Sequence, residues 1–133
     1  ELRLRRLLKQ NNFYRNLKKM EARAVHRYIG SSPRKMRLVI DLIRGVSVEK
    51  AIEILHFSTK HSSKHAEKVL RSAVANLMNR DEATRMEPSD LLVKEAFVNQ
   101  GPTIKRISAA PMGRAYRIRK RSCHLTIVVA TKS

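Results

Sequence analysis

The chain has 133 residues, 42% of them hydrophobic, which is enough for one domain with an ordinary core and excludes a wholly disordered polymer. Lys and Arg number 29 against 11 Asp and Glu, for a net charge of +18 at pH 7, and a fold does not need that self-repulsion unless a polyanion is its partner. One cysteine excludes an internal disulfide and a cysteine-clustered zinc site, no apolar run is long enough to span a membrane, and the absence of Trp argues against a broad aromatic platform for single strands.

Residues 1–37 carry twelve basic and two acidic side chains. The first twenty include Leu2, Leu4, Leu7 and Leu8 but lack the continuous apolar stretch of a secretory signal. They are poor in acids, as a transit peptide is, but they hold no Ser or Thr. A cytoplasmic protein is the expectation. Ala22–Ile29 is a weak strand candidate. Ser32 and Pro33 then form a helix start, as N-cap and first helical residue. Met36, Val39, Ile40 and Ile43 make one apolar stripe that Gly45 closes.

Residues 38–95 carry nine basic and nine acidic side chains and read as mostly helical. Ser47 can cap a second helix with the stripe Val48, Ala51, Ile52 and Leu55. A third, starting after Ser58 and running to about Asn79, has the stripe Ala66, Val69, Leu70, Ala73, Val74, Leu77 and Met78. Arg80–Asp90 is polar, holds Pro88 and lacks periodicity, as a loop does.

The period then changes. Leu91–Val98 and Ser122–Ala130 are short and rich in Val, Ile, Leu and Phe. In the second, Cys123, Leu125, Ile127 and Val129 alternate with Ser122, His124 and Thr126, as on the two faces of a strand. The fold class is α+β, three helices packed on a small antiparallel sheet.

Residues 96–133 carry eight basic and no acidic side chains. The twenty-one residues 101–121 are too long for a structureless loop inside a compact domain. Turn chemistry gathers at Ala109–Gly113, and the flanks hold enough Ile, Thr and Tyr to be extended. A protruding hairpin results, with arms of nine or so residues reaching roughly 30 Å at ~3.3 Å per residue. Arg117, Arg119 and Arg121 share one face of the returning arm, and Arg114, Tyr116, Ile118 and Lys120 the other. Such a hairpin has little apolar surface to bury, and its charges repel. Phosphates resolve both problems, because Arg forks match their oxygens while Tyr116 or Ile118 packs on sugar or base.

Several runs carry a resemblance. They are Gly101-Pro102-Thr103-Ile104-Lys105-Arg106, Gly113-Arg114-Ala115, and Arg117-Ile118-Arg119-Lys120-Arg121-Ser122-Cys123-His124-Leu125-Thr126-Ile127-Val128-Val129. Upstream stand Ser32-Pro33-Arg34-Lys35-Met36-Arg37-Leu38-Val39, Asp41-Leu42-Ile43-Arg44-Gly45 and Ser72-Ala73-Val74-Ala75-Asn76. Together they resemble, over about residues 20–131 and in the family's order, the bacterial form of the universal large-subunit ribosomal protein twenty-two.

The resemblance implies a structural constituent of the large ribosomal subunit that assists assembly. Its small α+β body would sit outside the subunit near the tunnel exit, touching several rRNA domains and neighbouring large-subunit proteins. Its hairpin, residues 102–120, would thread through rRNA. The rRNA-binding residues it implies are Arg34, Lys35, Arg37, Lys105, Arg106, Arg114, Tyr116, Arg117, Arg119, Lys120 and Arg121. Ala109, Ala110, Pro111, Met112, Gly113 and Arg114 would be the tip that lines the exit tunnel and meets the nascent polypeptide. In that family, changes at Ile104-Lys105-Arg106 accompany macrolide tolerance, which implies an indirect effect on tunnel width.

Two departures stand out. Family tips usually carry a Pro-Arg pair before the Gly-Arg, where this chain has Ala109-Ala110-Pro111-Met112, so Arg114 is the one charge of the tip. Met20-Glu21-Ala22-Arg23-Ala24 matches an ordinary family start, which makes residues 1–19 a basic extension to a single domain, 20–133. An extra RNA-binding helix with Leu4, Leu7 and Leu8 as its stripe fits that extension, and so does an unstructured basic tail.

Other constellations read as surface or core. His61 and His65 have the spacing of two metal ligands, but no Glu follows His61 and no third ligand is evident in the sequence. A solvated or RNA-facing surface shared with Lys60, Lys64 and Lys68 fits better. Cys123 and His124 adjoin but point to opposite faces, so they are no nucleophile–base pair. Glu49 and Glu53 are surface balance beside Lys50 and Lys60. Neither catalysis, nor a cofactor, nor a bound metal, nor a small-molecule substrate is expected. The runner-up is a free DNA-binding or nucleoid-associated protein, which lacks a recognition helix because Glu67 interrupts the basic row. A membrane-surface domain is disfavoured by the few large apolar residues of the hairpin. The ribosome implied is cytoplasmic, with an organellar one as the alternative.

Overall fold

The computed structural model describes residues 20–79 and 87–132. In chain order they form β1 (Glu21–Ile29), α1 (Pro33–Ile40), α2 (Val48–Phe57), α3 (His61–Met78), a 3-10 turn at Pro88–Asp90, β2 (Leu91–Gln100), β3 (Ile104–Ala109), a 3-10 turn at Pro111–Gly113, β4 (Ala115–Lys120) and β5 (Cys123–Thr131). The basic segment 1–19 and most of the expected loop, 80–86, lie outside the described residues.

The helices lie where the apolar stripes put them. Ser32 is extended and Pro33 is the first helical residue of α1, which buries Met36, Val39 and Ile40. Regular helix stops at Ile40, earlier than the stripe to Ile43 suggests. The next turns tighten, with Leu42 N donating to Val39 O and Ile43 N to Ile40 O, so Ile43 still reaches the core fully buried. The tightening frees the backbone to meet the sheet. Gly45, in the left-handed region at φ 76°, donates its N–H to Val93 O at 2.9 Å, and Val93 N donates to Val46 O at 2.9 Å. In α3, Ala66, Val69, Leu70, Ala73 and Leu77 are buried, and Val74 and Met78 are partly so.

The sheet runs β1-β5-β2, all antiparallel, with β5 in the centre. Cys123, Leu125, Ile127 and Val129 are fully buried against the helices, so the two-residue alternation fixed the inward face. β1 is a full strand, paired from Glu21↔Ala130 to Ile29↔Cys123 with an irregularity between His26 and Ile29. Tyr28 sits in that irregularity at φ 57°, and its N–H donates to His124 Nδ1 at 3.0 Å.

The outer edge of β2 is not left bare. Arg37 Nη2 donates to Val98 O at 3.1 Å, and Arg44 Nε and Nη2 both donate to Ala96 O, at 3.2 and 2.8 Å. Covering an edge in this way satisfies carbonyls that would otherwise invite another strand.

β3 and β4 form a separate two-stranded hairpin, paired from Ile104↔Lys120 to Ala109↔Ala115. Each regular arm is six residues, about 20 Å at ~3.3 Å per residue, shorter than the expected nine. The missing length is a neck, Gly101–Thr103 against Arg121–Ser122, where Gly101 N donates to Ser122 O and Ser122 Oγ donates to Pro102 O at 2.7 Å.

Candidate nucleic-acid interface

The hairpin's side chains follow from its register. Paired residues share a face, so Lys105, Arg119, Ile107 and Arg117 lie together, and Ile104, Lys120, Arg106, Ile118 and Tyr116 lie on the other side. Both faces are cationic, as the alternation required. Lys105 stands directly opposite Arg119, a like-charge pair that destabilises a free hairpin. Every residue of β4 is exposed, and so is every residue of β3 but Ser108. Ile107 is 76% exposed and Tyr116 61%, apolar surface that no part of the described body covers.

The tip is a tight reversal. Ala110 N donates to Arg114 O at 2.9 Å, and Met112 and Gly113 both take left-handed backbone, at φ 62° and 68°. Glycine does this freely, whereas methionine does so at a cost of roughly 1–2 kcal/mol. Met112 is 92% exposed, so the tip presents a thioether side chain outward, next to Arg114.

On the body, Arg34 and Lys35 are exposed on the first turn of α1. Arg37 is different, because its Nη2 already serves Val98 O, and it holds the body together whatever else it touches. Arg44, absent from the residues expected to bind, makes the stronger version of that tie and an ion pair with Asp41 at 3.0 Å. No local pattern marks it, since its partner lies 52 residues away.

The β1–α1 turn, Gly30–Ser32, brings body and hairpin cations together. Lys35, Lys60 and His61 lie on one side of it, and Arg119, Lys120 and Arg121 on the other. Ser31 Oγ lies 3.3 Å from Ser62 Oγ, which ties the turn to the start of α3. The ambiguous row Lys60, Lys64 and Lys68 therefore splits. Lys60 belongs to this region, whereas Lys68 lies beside His26 and Ser72.

The His61 and His65 rings meet edge to face, with centroids 5.2 Å apart, and the fold brings His26 to 5.7 Å from His65. Among the described residues, no group of three or more His, Cys, Asp or Glu side chains is placed to hold a metal ion. Burial, then His61, His26 and Lys68 nearby, push the His65 pKa below its ordinary value. Burial raises the Cys123 thiol, as suits a core side chain. Glu67 is tied to Arg71 at 2.6 Å, one turn further along α3.

The model of the ribosomal protein L22p/L17e family matches residues 24–130. Among curated proteins, the chain is 56% identical over 112 residues to the large ribosomal subunit protein uL22 of Chlorobium phaeobacteroides strain BS1, covering 84% of this chain and 96% of the relative. It is 54% identical over 110 residues to that of Chlorobaculum tepidum, covering 83% and 92%. It is 49% identical over 112 residues to that of Desulfitobacterium hafniense strain Y51, covering 84% and 96%.

Proposed function

Because the chain belongs to the ribosomal protein L22p/L17e family, we propose that this structural protein of the large ribosomal subunit binds and bridges rRNA through its basic hairpin and body. The observation that carries the reading is the hairpin itself. It is extended, exposed on both faces, free of carboxylates and studded with Lys105, Arg106, Arg117, Arg119, Lys120 and Arg121. Phosphates around it neutralise the Lys105–Arg119 repulsion, and sugars or bases cover Ile107, Tyr116 and Ile118.

The mechanism is bridging. RNA segments repel one another, and a rigid cationic rod between them removes that repulsion while its anchor, the body, fixes its direction. In this reading Ala109–Arg114 reaches the wall of the nascent-polypeptide exit tunnel, with Met112 and Arg114 facing the passing chain. The body takes neighbouring large-subunit proteins as partners, and binding assists subunit assembly. The chemistry asked of these residues is neutralisation and positioning, with no bond made or broken.

Gradient fractionation of cells expressing the tagged full chain tests this. The chain should sediment with large subunits, and salt should strip it progressively. Recovery with nucleoid DNA, or displacement from rRNA by duplex DNA at equal phosphate concentration, would favour a free DNA-binding protein instead.

A further inference from the structure

We propose that the turn Gly30–Ser32 is a saddle across which one RNA strand passes, seating neighbouring phosphodiester groups on its two sides. This rests on the rRNA-binding reading above and adds a site to it.

Two open clefts flank the turn and share Gly30 and Ser32. The first, about 470 Å³, has Lys35, Lys60 and His61 in its walls. The second, about 460 Å³, lies against the hairpin root and has Arg119, Lys120 and Arg121 in its walls. Among the described residues, no carboxylate lines either cleft. Both helices that begin beside the first cleft, α1 and α3, lack an acidic residue in their first turn and a side-chain cap. Their free N–H groups add to a field already positive.

Gly30 supplies an independent observation. A Cβ on it would meet nothing within 4 Å, and its φ is outside the left-handed region. The fold therefore requires no glycine at this position. A side chain there would stand in open space, on a residue that lines both cationic clefts. That space fits a backbone with a charge at every residue, running from the body onto the hairpin. An acidic peptide meets the same charges, but Arg119 and Arg121 belong to the exposed hairpin, so continuity favours the RNA that surrounds it.

Position 30 is also the place to test the site, because the fold is indifferent to what stands there. Filter binding of the full chain to transcribed large-subunit rRNA, at several salt concentrations, is the measurement. Gly30→Glu should weaken binding tenfold or more and Gly30→Arg should preserve or strengthen it, with thermal midpoints unchanged in both. The pair Lys35→Ala and Lys60→Ala should lower the log–log salt slope by roughly one to two, about 0.7–0.9 for each phosphate lost. Adding Arg119→Ala and Arg121→Ala should cost less than the product of the two separate losses, since one strand joins the clefts. Equal binding by the Glu and Arg variants, an unchanged slope in the lysine pair, or displacement of the RNA by polyglutamate of equal charge would overturn the saddle. A wild-type chain that fails to bind this rRNA at all would instead overturn the reading on which the saddle rests.

Discussion

Gly101 and Ser122 meet where the body sheet ends and the hairpin begins. The Gly101 amide donates to the Ser122 carbonyl at 2.9 Å, and a Cβ on Gly101 would lie 2.5 Å from Ser122 Oγ and 3.2 Å from the Ser122 carbonyl carbon and oxygen. This glycine is required by close approach of two backbones, not by its own dihedral angles. Gly101→Ala should displace Ser122 Oγ from Pro102 O and cost about 1–3 kcal/mol, read as a lower thermal midpoint. Ser122→Ala in the same chain should return part of the loss by removing the nearest clash. A Gly101→Ala variant as stable as the parent would show that the neck yields easily.

Arg44 should matter for stability and not for phosphate binding. Arg44→Ala removes the two donors to Ala96 O and should cost about 1 kcal/mol, a figure kept low because the guanidinium is half exposed. Arg44→Lys should recover only part of that, because a single ammonium cannot reproduce the fork. The salt dependence of RNA binding should be unchanged in both. A reduced slope would place Arg44 at a phosphate.

The hairpin arginines should behave the opposite way. Replacing Arg117, Arg119 and Arg121 together by Gln should lower the log–log salt slope by about 2–3, three phosphates' worth. Thermal unfolding should stay where it was, since all three side chains are exposed and outside the core. Binding titrations at four salt concentrations measure the slope, and an unaltered slope would remove these residues from the interface.

These contrasts show what the chain's local pattern can and cannot disclose. Stripes such as Ala66–Val69–Leu70–Ala73 and the alternation Cys123–Leu125–Ile127–Val129 were legible because helix and strand periods are local properties. The hairpin was legible because turn residues and cations cluster within twenty positions. Arg44 was not, since its carbonyl partner is brought near only by folding. Nor was the approach of His26 to His65, whose separation in sequence carries no spacing rule. Gly30 gave no signal either, because the two clefts that it lines are assembled only by folding. The tie that Arg37 makes from α1 to β2 was not legible either, because Val98 lies 61 residues away.

The imidazole cluster makes a pH prediction with a definite sign. His65 titrates below its ordinary value, so the folded chain resists the proton that the unfolded chain accepts. Well above pH 6.5 both states are neutral there and nothing is lost. As pH falls through about 6.5 the unfolded state gains the proton first, so stability should drop until His65 in the folded state protonates too. Thermal midpoints between pH 7.5 and 5 should decline for the parent, and His65→Gln should flatten that decline. A steeper decline in the variant would reverse the sign.

Protein–RNA crosslinking in intact cells, with sequencing of the RNA and mapping of the peptides, tests the central claim most directly. The bridging account predicts large-subunit rRNA from several separated segments, joined to peptides spanning Lys105–Arg121. Crosslinks scattered over messenger RNA, or rRNA crosslinks confined to the body with none on the hairpin, would contradict it.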